Sequence, residues 1–287
     1  MTIRNPVQWG AEQFRTAGRS FSPAAGEARQ TGGERHLALP EVRRIEVADL
    51  RDVLAKGFED FGANRTDVIF LCVLYPVIGV VLARLAAGYD MLPLLFPLAS
   101  GFALVGPLAA VGLYQMSRRR EDGHHATWAD AFSVVRSPSF GGIVLLGLLL
   151  IAIFVLWLVA AFAIYGATLG PKPPVSVDAF AHDVFLTPAG WTLIGVGVGV
   201  GFLFALVVLT ISVISFPLQL DRNVGLQRAV RTSILAVRAN PGPMALWGLI
   251  VAGALVAGAI PAFVGLIIVL PVLGHATWHL YRKVILH

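Results

Sequence analysis

Two histidines, His275 and His279, have the clearest potential for metal chemistry in this sequence. They are four residues apart, so they share one face of a helix and could bind a metal ion if a third ligand came from another segment. The spacing is not the zinc-protease motif, because Ala276 rather than a glutamate follows His275. No carboxylate lies inside an apolar segment to complete the site. We therefore predict no metal and no cofactor, and favour interhelical hydrogen bonding or interface anchoring for this pair.

Two pairs of charged residues are further candidates. Arg84 is the one charged residue inside a long apolar segment, with Asp90 in the turn that follows. Intramembrane charges are functional candidates, but Arg84 lies near the end of its segment, so we favour a side chain that snorkels to the headgroups. Asp221 and Arg222 are adjacent. They could form a local salt bridge at a turn, which we favour, or a gate contact between cytoplasmic loops.

Four alternating glycines, Gly195, Gly197, Gly199 and Gly201, form a run that superficially resembles a nucleotide-binding loop. That loop has to follow a strand and open a helix, whereas these glycines lie inside an apolar segment. The small-xxx-small pairs 195/199 and 197/201 are typical of close helix packing. We favour packing within the chain over a dimer interface.

The composition indicates an all-α, polytopic membrane protein. Of 287 residues, 56% are hydrophobic and 14% charged, and the mean hydropathy is +0.75. A soluble fold could not cover so much apolar surface with so few charges, which excludes a conventional soluble enzyme, a disordered chain and a coiled coil. The single cysteine, Cys72, excludes an intramolecular disulfide. We attribute the net charge of +5 to arginines on the cytoplasmic side rather than to nucleic-acid binding.

The apolar segments predict six membrane spans after a disordered cytoplasmic tail. The tail covers residues 1–44 and the transmembrane domain covers 45–287. The spans are predicted at 68–87, 92–116, 140–165, 191–216, 244–260 and 262–281, with a turn near Pro261 separating the last two. With both termini inside, every lysine and arginine except Arg84 and Lys172 falls in a cytoplasmic segment. The positive-inside rule therefore favours six spans with both ends cytoplasmic.

An amphipathic, interfacial helix is predicted before each pair of spans. The second begins with a Thr127–Asp130 start signal, and the third carries Arg228, Arg231 and Arg238 on the face that we expect to meet anionic lipid. Their apolar faces consist of Leu50, Leu54, Phe58 and Phe61 in the first, Trp128, Phe132 and Val135 in the second, and Leu226, Val230, Ile234 and Val237 in the third. The pattern is typical of three tandem units, each an interfacial helix followed by a pair of spans. The alternative is chance, because proline and glycine are common in membrane helices and similar spacings of them can recur without a repeat.

Three motifs resemble a bacterial six-span inner-membrane family of unknown function. They are Asp49–Arg65 followed by Tyr75-Pro76, then Thr127–Val135, and Leu270–Val284. The resemblance covers roughly residues 45–285 and implies an inner-membrane protein without a settled activity. Some members carry a label as cytochrome c oxidase subunits. A haem–copper core needs histidines on several spans, and here the spans contain only two, both on the sixth, so oxidase catalysis is excluded.

Three functional hypotheses remain open. The first is a non-catalytic scaffold or accessory component that contacts membrane lipid and belongs to a larger membrane complex. The second is a permease or carrier for a small or apolar molecule, with an internal cavity near His275, Ser100 or Ser212. The third is a membrane enzyme built on the histidine pair. A closed bundle favours the first hypothesis, a continuous polar path the second, and a third ligand beside the histidines the third.

Overall fold

The fold was taken from a computed structural model, which describes residues 39–63, 84, 92–124, 126–261 and 263–286. The described part is all-helical. Its β-structure is limited to one isolated antiparallel bridge between Val42 and Ile285. The first helix, α1, covers residues 49–63. One 3-10 turn covers Leu92–Leu94, and a second covers Ser133–Arg136. The remaining helices are α2 (Leu95–Ala109), α3 (Val111–Glu121), α4 (Trp128–Phe132), α5 (Phe140–Thr168), α6 (Val177–Leu186), α7 (Pro188–Ser212), α8 (Ser215–Arg222), α9 (Leu226–Ala239), α10 (Pro241–Ala259) and α11 (Leu266–Val284).

Four helical stretches of the described chain are long and apolar enough to cross a membrane. They are Leu92–Glu121, Phe140–Thr168, Pro188–Arg222 and Pro241–Ala259. The predicted span at 68–87 lies outside the described residues. The predicted span at 262–281 corresponds to α11, which is not one of the four because its second half carries two histidines, an arginine and a lysine. The described part of the chain is thus all-helical and contains four candidate spans.

Local signals set the helix ends. Asp130 accepts hydrogen bonds from the backbone N–H and Oγ1 of Thr127 (2.9 and 3.0 Å), so the predicted start signal of α4 is confirmed. Thr187 Oγ1 caps α7 by accepting from Gly190 N (3.0 Å), and Pro188 occupies the first turn. The turn between α10 and α11 contains Pro261, as the sequence predicts.

The N-terminal and C-terminal ends of the described chain meet at the same end of the bundle. Arg43 N donates to Val284 O (2.8 Å) and Leu286 N donates to Glu41 O (3.1 Å). The Asn240 side chain fixes this segment further, because Oδ1 accepts from Ile45 N (2.7 Å). Residues 41–44, which the sequence assigned to the tail, are therefore held against the C-terminus. We call this the basic end; α1, α9 and the C-terminal ends of α3, α8 and α11 lie here, while α6 lies at the opposite end.

Helix α1 packs on α11 through a glycine, which changes the face predicted to be buried. A Cβ at Gly57 would lie 2.7 Å from the Cβ of Ala276, so only glycine permits this approach. The buried face of α1 consists of Leu50, Val53, Gly57 and Asp60. Phe58, predicted on the apolar face, is 58% exposed, whereas Asp60, predicted on the polar face, is 5% exposed.

Helix α9 is likewise buried through small side chains. Ala229, Thr232, Ser233 and Ala236 are fully buried, while the predicted apolar residues Leu226, Val230, Ile234 and Val237 are only half-buried. Ser233 Oγ donates to Thr210 O (2.8 Å) and accepts from Ile214 N (3.3 Å). The predicted apolar face of α9 therefore lies beside the face that is buried, and small residues occupy the buried face.

Candidate functional site: a polar cluster at the basic end

Asp60 is the centre of a polar cluster that joins α1, α3 and α11. Its Oδ2 accepts from Ser117 Oγ (2.5 Å) and from His279 Nε2 (2.8 Å). Its Oδ1 accepts from Arg120 (2.5 Å). The Asp60 side chain is 6% exposed and that of Arg120 is 39% exposed, so the pair lies at the edge of the buried region. One carboxylate thus ties three helices together.

Ser117 connects this carboxylate to the second histidine of the predicted pair. His275 Nδ1 lies 2.8 Å from Ser117 Oγ and 4.0 Å from Asp60 Oδ2. Because the one hydroxyl proton of Ser117 goes to Asp60, His275 Nδ1 is the donor to Ser117. His275 is fully buried, and its Nε2 has no hydrogen-bond partner among the described residues. The result is a chain of hydrogen bonds from His275 to Asp60.

Electrostatics favour an ionised Asp60. Burial raises the pKa of the Asp60 carboxyl, but the hydrogen bonds from His279 and Ser117 outweigh this effect and hold the pKa below its usual range. An ionised Asp60 can accept from Ser117, Arg120 and His279 at the same time, which suits a structural link between helices.

The cluster does not have the geometry of a metal site in the described part of the chain. No group of three His, Cys, Asp or Glu side chains there is arranged to hold a metal ion. His275 Nδ1 is directed at Ser117 and His279 Nε2 at Asp60. The two imidazoles therefore act as donors to different oxygens, consistent with the predicted interhelical hydrogen bonding.

Asp221 forms a second link at the basic end. Tyr281 Oη donates to Asp221 Oδ2 (2.6 Å), which joins α8 to α11. Arg118 from α3 and the adjacent Arg222 each place Nε 3.7 Å from this carboxylate. Asp221 therefore makes the predicted local ion pair with Arg222 and also contacts two other helices.

Further ion pairs fix the C-terminal turn of α11. Arg282 Nε donates to Glu121 Oε1 (3.0 Å), and Lys283 Nζ donates to Asp49 Oδ1 (2.8 Å) and Asp52 Oδ2 (3.1 Å). The hydrogen bond from Lys283 holds the pKa of Asp49 below its usual value. These contacts join α11 to α3 and α1.

Other predicted site residues are described only in part. Arg84 is exposed and helical. Asp90 lies outside the described residues, so the Arg84–Asp90 pair stays a prediction.

The alternating glycines have different surroundings. A Cβ at Gly201 would lie 3.1 Å from the Trp157 ring, while one at Gly195 or Gly199 would have nothing within 4 Å. In the described structure, Gly201 packs within the chain, while Gly195 and Gly199 are exposed.

An apolar cleft of about 430 Å³ lies at the end opposite the cluster. Side chains from α2, α5, α6 and α7 line it, among them Phe96, Trp157, Phe180 and Ile194. Trp157 Nε1 is held by Pro97 O (3.2 Å) and Ser100 Oγ (3.0 Å). These two hydrogen bonds fix the orientation of the Trp157 ring beside the cleft.

The comparisons with known proteins agree with a membrane protein. Residues 95–221 match the model of a family described as "Predicted integral membrane protein (DUF2189)". The chain resembles DUF2189 over this segment. The match confirms the predicted resemblance to a membrane family of unknown function, over a shorter range than the sequence suggested. No curated protein and no solved structure matches the chain.

The DUF2189 segment contributes only part of the cluster. Ser117, Arg120 and Asp221 lie within it, whereas Asp60 and the α11 histidines lie outside. The sequence did not predict a role for Asp60, because Asp60 precedes the first predicted span and no polar partner for the histidines lies within the spans. The signal was present in α1, where Asp60 is three residues beyond Gly57 on the face of Leu50 and Val53.

Proposed function

We propose that this chain is a non-catalytic scaffold or accessory component of a larger complex in the bacterial inner membrane. The observation that carries the proposal is the outward face of α7. Trp191, Gly195, Gly199 and Phe202 recur at i, i+4, i+8 and i+11, so they form one stripe. Trp191 is 62% and Phe202 61% exposed. Two glycines between bulky apolar residues form a shallow recess, which suits close approach of another helix.

The cluster at the basic end supports this proposal from the opposite side of the molecule. Asp60 and Asp221 each bond to partners on at least two other helices. These bonds fix the packing of α1, α3, α8 and α11 on one another at this end. A bundle that is fixed internally and presents a small-residue recess outward is suited to assembly.

We propose six spans with both termini cytoplasmic as the topology of this scaffold. Residue 63 lies at the basic end and Leu92 borders the cleft at the other end. These two positions lie at opposite ends of the bundle, which supports the predicted span at 68–87. The contact of residues 41–43 with residues 284–286 supports an even number of crossings. The arginine-rich character of the shared end supports a cytoplasmic assignment.

Single-cysteine labelling tests this topology. Cys72 is the one native cysteine, so a Cys72→Ala background accepts reporters at Arg44, Arg136 and Lys172. A membrane-impermeant maleimide applied to intact cells should label position 172 alone. Labelling at 44 or 136 under those conditions would overturn the six-span arrangement.

Native mass spectrometry tests the scaffold proposal. The full chain is released in mild detergent and compared with the Gly195→Ile/Gly199→Ile double variant. Gly253→Ile is the matched control, because Gly253 in α10 is also exposed with nothing within 4 Å of its Cβ position. We expect an added polypeptide mass in wild type and control that is lost in the double variant. A bare monomer in all three samples would contradict the proposal.

The alternative is a permease or carrier for a small or apolar molecule, and the apolar cleft favours it. Its volume of about 430 Å³ is within the range of small-molecule sites. Because Trp157 lines the cleft, an apolar ligand would perturb its fluorescence. Ala161 also lines the cleft, so Ala161→Phe should fill part of it. A saturable fluorescence change in wild type that this variant abolishes would support a carrier, and equal partitioning into both proteins would count against it.

A further inference from the structure

Helix α9 presents three arginines on one outward stripe. Arg228, Arg231 and Arg238 fall within about a quarter of the helix circumference at 3.6 residues per turn, and all three are exposed. Helix α9 contains no acidic residue. Among the described residues, no carboxylate lies within ion-pair distance of these guanidinium groups. Positive charge is therefore concentrated here without a neutralising partner in the described chain.

The opposite face of α9 fixes the direction in which this stripe points. Ala229 and Ala236 are fully buried. Ser233 is bonded to Thr210 and Ile214 near the C-terminal end of α7. Rotation of α9 would break these bonds and bury an arginine, so the stripe is held outward.

An apolar side chain and the start of a span accompany the arginines. Leu235 lies on the same stripe between Arg231 and Arg238 and is 39% exposed. Pro241, three residues after Arg238, begins α10, one of the four candidate spans. The stripe thus ends where the chain is expected to enter the bilayer. A ligand that combines a phosphate with an acyl chain matches both features.

We propose that the α9 stripe binds the phosphate of an anionic phospholipid, such as phosphatidylglycerol, while Leu235 contacts its acyl chain. Arginine forms paired hydrogen bonds with phosphate oxygens, and basic residues beside a span attract anionic headgroups. The exposed Leu235 and the adjoining span favour a lipid over free phosphate or a nucleic acid.

Native mass spectrometry of the full chain, titrated with phosphatidylglycerol or phosphatidylcholine, tests the proposal. The test variant is Arg228→Gln/Arg231→Gln/Arg238→Gln. The matched control, Arg44→Gln/Arg51→Gln/Arg136→Gln, removes the same charge from exposed arginines elsewhere in the described chain. At roughly fivefold per arginine, we expect the test variant to lose on the order of 100-fold in phosphatidylglycerol affinity, with little change in the control. Phosphatidylcholine binding should be unchanged in both.

Additional arms separate the competing sources of phosphate. Inorganic phosphate at millimolar concentration should not displace the lipid, and a short RNA should not bind in a stripe-dependent way. Equal losses in test and control variants, displacement by phosphate, or stripe-dependent RNA binding would each overturn the proposal. If the glutamine variant fails to fold, unchanged phosphatidylglycerol affinity of the wild type between 0.05 and 0.5 M salt would overturn it.

Discussion

Replacing Asp60 with alanine should destabilise the protein more than any other single charge removal in α1. The substitution removes hydrogen bonds from Ser117, His279 and Arg120. Breaking a buried ion pair costs about 3–5 kcal/mol. The Arg120 side chain is 39% exposed and regains water, which reduces its share. We therefore expect a loss of about 3 kcal/mol in the free energy of unfolding.

The assay is unfolding of the detergent-solubilised protein by sodium dodecyl sulfate, followed by circular dichroism. Asp52→Ala is the matched control in the same helix, because Asp52 is 64% exposed and its ion pair is with Lys283. An exposed pair contributes about 0–1 kcal/mol. A loss at Asp60 no larger than that at Asp52 would refute the assignment of Asp60 as the centre of the cluster.

The pH dependence of this difference has a definite sign. The pKa of Asp60 is lowered in the folded protein, so its contribution to stability is present above the unfolded-state pKa, about 4. That contribution is lost as the pH falls through the folded-state pKa. The gap between wild type and Asp60→Ala should therefore narrow as the pH falls below about 4. A gap that widens as the pH falls below about 4 would contradict an ionised Asp60.

Two further substitutions test the packing at the basic end. Gly57→Val should lower the free energy of unfolding by about 1–3 kcal/mol through overpacking, because its Cβ would lie 2.7 Å from the Cβ of Ala276. Gly62→Ala in the same helix is the control, because its Cβ would meet nothing within 4 Å. It should be neutral or stabilising in the same unfolding assay. The Asn240 side chain accepts from Ile45 N and donates to Arg43 O. Asn240→Ala should therefore lower the free energy of unfolding by about 1–2 kcal/mol and accelerate amide hydrogen exchange in residues 41–45. Unchanged exchange there would show that Asn240 does not hold this segment.

The sequence predicted the membrane class, the Thr127–Asp130 start signal and the turn at Pro261 because each depends on local composition or chemistry. It did not predict which face of α1 or α9 is buried. In both helices small residues, not the largest apolar ones, set the contact, since Gly57 and Ala236 allow close backbone approach. Apolar periodicity is a weak guide where small residues form the contact between two helices.

The polar cluster was predictable only in part. His275 and His279 were identified as a pair on one helix face, but their shared connection to Asp60 depends on how α1 packs against α11. Asp60 and His279 are 219 residues apart in sequence, so no local pattern relates them. Asp221 illustrates the same limit, because its bond to Tyr281 depends on the packing of α8 against α11.

Photo-crosslinking from the α7 stripe in native membranes tests the scaffold proposal most directly. Benzoylphenylalanine at Phe202 replaces an exposed aromatic residue beside Gly199, and the same substitution at Phe162 of α5 provides a control of similar exposure (61% and 59%). The proposal predicts one discrete protein adduct from position 202 and none from position 162. Lipid adducts alone from both positions would contradict it.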